Sequence, residues 1–400
     1  MNVRQTPEVE NRIRQLWERF LLAGICNDLM LGEVEDHLFL EHIETPPDRT
    51  VVPGQPDPLI DEVTGCGFAD DIRDAVCDLY YGEEEILPYA ELASRWDGEA
   101  LMETLFDEMT HHIHVYDTRI ITDNPYYQKV KPQAGQAGAI TLAPRDTIPY
   151  EFFQSYHQTY DKEDPFFYAE LGVFTERVEF PVLLENGNVW MSVVVSEIES
   201  MADAIAEAHG KVITYGLGLG YYAFMAAEKD NVESVTVIEK NPDVIRLFTE
   251  SILPFFPHKE KIQIIEADAL EFVKAQEDGA YDYAFSDFWG GYYDGVDLYM
   301  QFMPLTARFS RTKHSYWIES CFMEYFFRPV FMRLLMEKGL GQRVKLPERS
   351  REVRALQDEF FRYMETQPLS IASADDIDRL LTPEEVTRWM RQFAGARSRK

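Results

Sequence analysis

The 400-residue sequence has few cysteines, few basic residues and no long apolar run. Its four cysteines form no C-x-x-C pair, which favours reduced thiols over a disulfide framework or a zinc site. No stretch approaches the roughly 18 consecutive apolar residues of a membrane span, and the N-terminus lacks the apolar core of a secretory signal. These absences predict a cytoplasmic protein without a membrane anchor.

Basic residues are scarce beside acidic ones, 38 against 70, which gives a net charge of −32. Proteins that bind nucleic-acid phosphates do so through clustered Lys and Arg, so we expect no nucleic-acid partner. The deficit of basic residues is confined to residues 1–300, which have 20 basic and 57 acidic residues and a net charge of −37. Residues 301–400 carry a net charge of +5. An acidic surface of this kind aids solubility, and it also favours a cationic ligand.

The first part of the chain, residues 1–145, is predicted to be a mainly helical domain. A short segment that is small, glycine-bearing and poor in charge, Lys131–Pro144, is the candidate linker at its end. Five prolines predict an irregular loop over Thr45–Pro58. Apolar residues at helical spacing predict helices over Glu8–Leu22, Asp70–Tyr81 and Asp97–His112.

Residues 146–210 are predicted to form a hairpin and a connecting helix. Two β-rich runs, Val178–Glu185 and Val189–Val195, flank an Asn-Gly pair that favours a tight hairpin turn. Ser196 followed by Glu199 is a capping-box pattern, so a helix should begin there and run to about Ala208. The hairpin offers a surface for pairing in a homodimer.

From residue 211 onward, strands and helices alternate, which predicts an α/β fold with a mostly parallel, doubly wound sheet over 211–345. Residues 346–400 are predicted to be helices that follow the sheet. The predicted strands are Val212–Tyr215, Ser234–Ile238, Ile262–Ile265, Tyr283–Ser286 and Ser315–Glu319.

A glycine-rich loop joins the first of these strands to the next helix. Gly216, Gly218 and Gly220 make a turn free of side chains, against which a ligand can lie near helix N–H groups. The dinucleotide fingerprint G-x-G-x-x-G would need a glycine at Tyr221. The spacing G-x-G-x-G instead favours a nucleoside without a pyrophosphate.

Three acids follow, each at the end of a predicted strand. Glu239 can accept hydrogen bonds from ribose hydroxyls, and Asp268 from an adenine amino group. Asp287, after the fourth strand, is the candidate catalytic residue, to orient a nucleophile or accept its proton. Each alone fits an ordinary polar cap, but their order along the chain favours a nucleoside site.

The glycine loop and the three acids together resemble the motif series of the Rossmann-like S-adenosylmethionine-dependent methyltransferases. This resemblance implies S-adenosylmethionine as cofactor, with the loop under its methionine portion, Glu239 on the ribose and Asp268 on the adenine. The family often has an acid where this chain has Thr214. The implied cofactor-binding residues are Gly216, Gly218, Gly220, Glu239, Asp268 and Asp287.

A narrower resemblance links the chain to the polyamine aminopropyltransferases, the spermidine-synthase-like branch of this fold. The hairpin, helix and glycine loop follow in that order, and Asp282 and Asp287 match the Y-D-x-x-x-x-D pattern. Leu219 and Gly290 stand where those enzymes place acids that bind the amine. The resemblance therefore implies a relative of this branch that is not itself a spermidine synthase.

Three functions follow as hypotheses. The first is a methyltransferase acting on a small molecule, including a cationic amine; the second is an aminopropyltransferase-like enzyme using decarboxylated S-adenosylmethionine; the third is a non-catalytic nucleoside-binding regulator. An aromatic, acidic loop over Phe288–Asp297 could cover a cationic substrate or simply pack on the surface. The His111-His112-x-His114 run places at most two histidines on one face, so no metal site is expected.

Overall fold

The computed structural model describes residues 1–35, 73–74, 76, 96–156, 160–346 and 350–399. Most of the predicted helix over Asp70–Tyr81 and all of the loop over Thr45–Pro58 lie outside these residues. The described strands are β1 (Asn2–Val3), β2 (Ile113–Tyr116), β3 (Gly135–Ala137), β4 (Ile140–Asp146), β5 (Phe153–Gln154), β6 (Leu171–Phe174), β7 (Glu179–Glu185), β8 (Asn188–Ser192), β9 (Gly210–Tyr215), β10 (Val232–Glu239), β11 (Ile262–Glu266), β12 (Tyr283–Ser286), β13 (Lys313–Tyr316) and β14 (Ser370–Ile371).

Helices fill most of the remaining described chain, with two short 3₁₀ turns (Leu253–Phe255, Lys259–Lys261) and one π-helical turn (Met323–Phe327). The α-helices are α1 (Pro7–Glu35), α2 (Gly98–His111), α3 (Arg119–Thr122), α4 (Pro125–Lys129), α5 (Val195–Ser200), α6 (Ala202–Glu207), α7 (Tyr221–Ala227), α8 (Pro242–Ser251), α9 (Ala269–Ala275), α10 (Tyr292–Thr306), α11 (Glu319–Phe322), α12 (Arg328–Gly339), α13 (Arg351–Glu365), α14 (Ala374–Leu380) and α15 (Pro383–Arg397). None of the helices described is long and apolar enough to cross a membrane.

A five-stranded, wholly parallel sheet confirms the predicted Rossmann-like α/β fold. Its strand order is β11-β10-β9-β12-β13, so the chain winds outward from β9 to one edge and then returns to the other side. The central strand β9 buries four consecutive residues at its carboxyl end, as a strand covered on both faces must. The reversal of strand order falls between β9 and β12, where open α/β sheets bind ligands.

A four-stranded antiparallel sheet, in the order β3-β4-β7-β8, precedes the parallel sheet. Its β7–β8 pair is the predicted hairpin, and Asn186 and Gly187 take the positive φ angles (52° and 86°) that such a tight turn requires. The predicted linker over Lys131–Pro144 is wrong: most of it forms β3 and β4. Strand β4 pairs along its whole length with β7, a contact that local composition does not reveal.

The structure divides into two compact units, and each contains residues from more than one of the predicted segments. One unit comprises residues 1–116, 149–175 and 320–393; the other comprises residues 117–148, 176–319 and 394–400. In the first, the long helix α1 buries one apolar face, and β2, β6 and β5 form a small sheet. The division into 1–145, 146–210, 211–345 and 346–400 stays a prediction about sequence segments.

Two local predictions are wrong. The helix at Ser196 begins one residue earlier and has Val194 as its N-cap without a side-chain bond, so the capping box does not form. The predicted single helix to about Ala208 is also divided in two: α5 ends at Ser200, and α6 covers Ala202–Glu207. The predicted loop over Phe288–Asp297 is a loop only as far as Gly291, because α10 begins at Tyr292.

Candidate functional site

The glycine loop is held close to the rest of the protein at each of its glycines. Gly216 has a φ of 106°, and a Cβ there would lie 1.6 Å from the backbone oxygen of Asp287. A Cβ on Gly218 would lie 2.0 Å from Met191 Sδ, on the hairpin. The loop therefore needs glycine for internal packing at the point where β9 and β12 diverge, in addition to any ligand contact.

Gly220 ends the loop and begins α7. Its left-handed backbone, φ 74° and ψ 18°, forms the N-cap of that helix without a side-chain bond. A Cβ there would lie 2.2 Å from the Phe248 ring. The three predicted glycines thus form one continuous turn at the carboxyl end of the central strand.

Two side chains from residues 124–126, before the hairpin, hydrogen-bond to this loop and to the first residue of α7. The sequence did not predict these contacts. The Tyr126 hydroxyl donates to the Leu219 carbonyl at 2.8 Å, and Asn124 donates to the Tyr221 hydroxyl at 3.1 Å. Both supporting side chains are buried. Since Leu219 is fully buried with its carbonyl bonded to Tyr126, its side chain belongs to the core.

Glu239 lies at the end of β10 and is tied to the glycine loop. Its Oε2 accepts from Leu217 N at 3.2 Å, and its Oε1 accepts from Asn241 N at 2.8 Å. The residue is 8% exposed. An ionised carboxylate has about four acceptor positions, so two remain for hydroxyl donors such as those of a ribose. The Glu239 carboxylate thus contacts the glycine loop. Its contact with a ribose stays a prediction.

Asp268 has a structural role as the N-cap of α9. Its Oδ1 accepts from Glu271 N at 3.1 Å, a bond that satisfies a free amide of the first helical turn. The residue is exposed and follows β11, the edge strand of the sheet beside β10. The cap uses one carboxylate oxygen of Asp268 and leaves the other available to accept a hydrogen bond. The contact of Asp268 with adenine stays a prediction.

Asp287 follows β12 at the switch point of the sheet. Its amide donates to the Tyr215 carbonyl at 2.7 Å, which fixes its backbone beside Gly216. Burial, and secondarily the negative charge of Glu239, raise the pKa of Asp287 from 3.8 to about 7. A carboxyl group of this pKa exchanges its proton near neutral pH, as a general base must.

Glu197 is a further acidic residue that the sequence analysis missed. It lies on α5, and its Oε2 is buried without a hydrogen-bond donor among the described residues. Burial and the nearby charge of Asp287 raise the pKa of Glu197 well above its ordinary value. The local sequence gives no signal for this burial, since Glu197 follows Ser196 at the start of a predicted helix like an ordinary first-turn acid.

The other acids near the motifs have structural roles. Asp282 precedes β12, so it lies at the opposite end of that strand from Asp287, and its Oδ2 accepts from Lys211 N at 2.8 Å. Asp294 accepts from Gly290 N at 2.9 Å and holds the start of α10. Asp282 is therefore separated from Asp287 by the length of β12, although both match the aspartate pattern in the sequence.

The histidine run bonds to protein groups. His112 Nδ1 lies 2.9 Å from Glu170 Oε1, and His114 Nε2 lies 2.5 Å from Glu170 Oε2. His111 Nδ1 bonds the Asp107 carbonyl at 2.6 Å. Within the part of the chain that the structure describes, no group of three or more potential ligands has metal-binding geometry.

Comparison with known proteins gives distant structural matches. No protein-family model and no curated protein matches the sequence. A spermidine synthase from Thermotoga maritima is 15% identical over 46% of this chain and 70% of its own, with a TM-score of 0.28. A probable spermidine synthase from Corynebacterium glutamicum is 17% identical over 44% of this chain and 60% of its own, with a TM-score of 0.29.

A precorrin 8w decarboxylase from Methanobacterium thermoautotrophicum is 20% identical over 29% of this chain, with a TM-score of 0.23. This chain spans 57% of the length of that decarboxylase. Identities and TM-scores this low assign no function to this chain.

Proposed function

We propose that this protein is an S-adenosylmethionine-dependent methyltransferase that acts on a small molecule carrying an amine. The observation that carries the proposal is the meeting of the glycine loop with Asp287 at the switch point of the sheet. Glu239 is tied to the same loop by the Leu217 amide. A nucleoside-binding loop and a titratable carboxyl group are the two parts that such a transfer needs.

The residues present fit an adenosyl cofactor at the ribose end. The two acceptor positions left on Glu239 suit the two ribose hydroxyls, and Asp268 keeps one carboxylate oxygen for an amino group. Position 214 offers no acid to the methionine amino group, because the residue there is a threonine. Thr214 is also buried within β9, at 2% exposed. When bound, the sulfonium supplies an electrophilic methyl group and a leaving group.

Asp287 and Glu197 define the part of the site where the acceptor molecule would bind. Both carboxyl groups have raised pKa values, chiefly because burial disfavours their charged forms. A bound cation lowers this penalty, so the pair favours an amine acceptor. Bound as an ammonium, the acceptor would first lose one proton to the ionised Asp287 carboxylate, which frees the nitrogen lone pair. That lone pair would then take the methyl group, with S-adenosylhomocysteine as the leaving group and the positive charge passing from sulfur to the methylated nitrogen.

Aminopropyl transfer from decarboxylated S-adenosylmethionine is the second candidate. Its support is the same cluster of acids, together with the hairpin and helix that precede the glycine loop. Two observations weaken it: the core position of Leu219 and the absence of a side chain at Gly290. A non-catalytic nucleoside-binding protein is the third candidate, and the raised pKa of Asp287 gives it no support.

Calorimetric titration distinguishes these functions. We expect S-adenosylmethionine and S-adenosylhomocysteine to bind, and decarboxylated S-adenosylmethionine to bind more weakly. Transfer of labelled methyl groups to a panel of small amines then separates an enzyme from a regulator. Absence of binding by any adenosyl compound contradicts the proposal, and binding of NAD alone shows that the glycine spacing was misinterpreted.

A further inference from the structure

Arg328 is a buried cation, and only one of its three guanidinium nitrogens is hydrogen-bonded within the described part of the chain. The residue is 1% exposed, at the start of α12. Its Nη1 donates to the Pro165 carbonyl and to the Glu324 carboxylate. Its Nε and Nη2 have no acceptor among the described residues. A buried donor without an acceptor loses its hydration, and the loss is larger on a charged group, so this arrangement is costly unless something accepts from these atoms.

The unused atoms form one edge of the guanidinium. The N–H bonds of Nε and Nη2 are parallel in the planar group, and this edge pairs with carboxylate or phosphate through two hydrogen bonds. The other end is held by two acceptors, Pro165 O and Glu324. The protein thus fixes the orientation of the group and leaves its two-donor edge unmatched.

Charged groups of both signs lie around this end of Arg328, since, besides burial, Lys162, Asp378 and Glu384 all act on the pKa of the nearby Tyr160. Burial raises the pKa of Glu324 to about 7, although Arg328 acts in the opposite direction. The carboxyl group is therefore only partly ionised at neutral pH and does not fully neutralise the guanidinium. The ring of Tyr160, which is 41% exposed, lies 5.9 Å from the guanidinium carbon.

The backbone at this point is also irregular. Glu324 belongs to the π-helical turn Met323–Phe327, which α12 follows without a break. Turns of this kind are rare and occur frequently at functional sites. Glu324 and Arg328 form an ion pair across this turn at a separation of four residues, the ordinary spacing of neighbours on a helix.

We propose that the Nε and Nη2 edge of Arg328 binds an oxyanion, a carboxylate or phosphate group of a small-molecule ligand. Two parallel hydrogen bonds from the guanidinium satisfy both donors, and the anion balances the buried charge. This site is independent of the proposed methyl transfer, since none of its residues belongs to the glycine loop or its acids. Binding of either anion should raise the melting temperature of the whole protein.

Thermal denaturation with increasing acetate or inorganic phosphate, at constant ionic strength kept with chloride, tests the proposal. We expect one of the two anions to raise the melting temperature beyond the chloride series, which also identifies the preferred group. Arg328→Lys keeps the charge and loses the two-donor edge, so it should weaken anion binding roughly tenfold or more. Glu324→Gln removes a competing negative charge, so it should tighten binding.

A matched control uses another arginine of the same helix. Arg333 already bonds Glu337 at 3.1 Å and Asp358 at 2.7 Å, so Arg333→Lys should keep the anion response. Should Arg328→Lys fail to fold, the double variant Glu324→Gln/Arg328→Met replaces the pair by neutral side chains and should fold without responding to anions. Wild-type protein that responds to neither anion, or a double variant that still responds, overturns the proposal.

Discussion

The backbone oxygen of Asp287 occupies the place where a side chain on Gly216 would begin, with only 1.6 Å between them. The carboxyl end of β12 and the glycine loop are therefore in direct contact at the switch point of the sheet.

Gly216→Ala should destabilise the protein and abolish adenosyl binding, because the new Cβ displaces the Asp287 backbone and the φ of 106° strains any L-residue. We expect a loss of roughly 1–3 kcal/mol from backbone strain, with the steric clash in addition. Gly187→Ala is the matched control, since Gly187 also has a positive φ but nothing lies within 4 Å of its Cβ position. Urea unfolding measures both variants. Equal losses would show that the contact with Asp287 contributes nothing.

Glu239→Gln should weaken the binding of adenosyl ligands. An amide keeps one acceptor oxygen, so it cannot accept from both backbone amides and from ribose hydroxyls as well. We expect a loss of roughly tenfold or more in affinity, in line with about 1–3 kcal/mol for hydrogen bonds to a charged group. Glu266, the register partner of Glu239 on β11, is exposed and provides the control variant Glu266→Gln. Calorimetry should show near wild-type affinity for the control, and equal weakening in both variants would remove the role of Glu239.

Asp287→Asn should change how stability depends on pH. The pKa of Asp287 is about 7 in the folded protein, against an ordinary 3.8, so the folded state retains a proton that the unfolded state loses. Stability from this group is therefore complete below about pH 4 and is lost as pH rises to about 7. The neutral variant lacks this loss and should be more stable than wild type at pH 8, by an amount on the order of 1–3 kcal/mol.

Urea unfolding at pH 5 and pH 8 measures this difference. Asp230→Asn changes an exposed aspartate of the same unit and should follow the wild-type pH dependence. A wild-type protein whose stability does not fall between these pH values would contradict the raised pKa. The methyl-transfer rate should rise with pH through about 7 in wild type, and this rise should be absent in Asp287→Asn.

Much of the fold and part of the site could be predicted from the sequence. Strand and helix periods located the parallel sheet, and strand ends located the glycine loop, Glu239 and Asp287, because in a parallel sheet these ends share one edge. Asp268 was placed correctly after its strand, but its capping bond depends on the first turn of α9. The burial of the Glu197 carboxyl group could not be predicted, because it depends on packing between segments distant in the sequence.

Binding of a cationic amine should release protons at pH 7. Asp287, with a pKa of about 7, is about half protonated there, and burial together with the Asp287 charge raises the pKa of Glu197 well above its ordinary value. A cation favours the ionised form of each carboxyl group, so the pKa of each falls and a measurable number of protons leaves on binding. Calorimetry in two buffers of different ionisation enthalpy measures that number. Glu197→Gln should reduce the release, whereas Glu199→Gln, on the same helix, should not. An acceptor that binds without proton release would show that its charge does not lie beside these carboxyl groups.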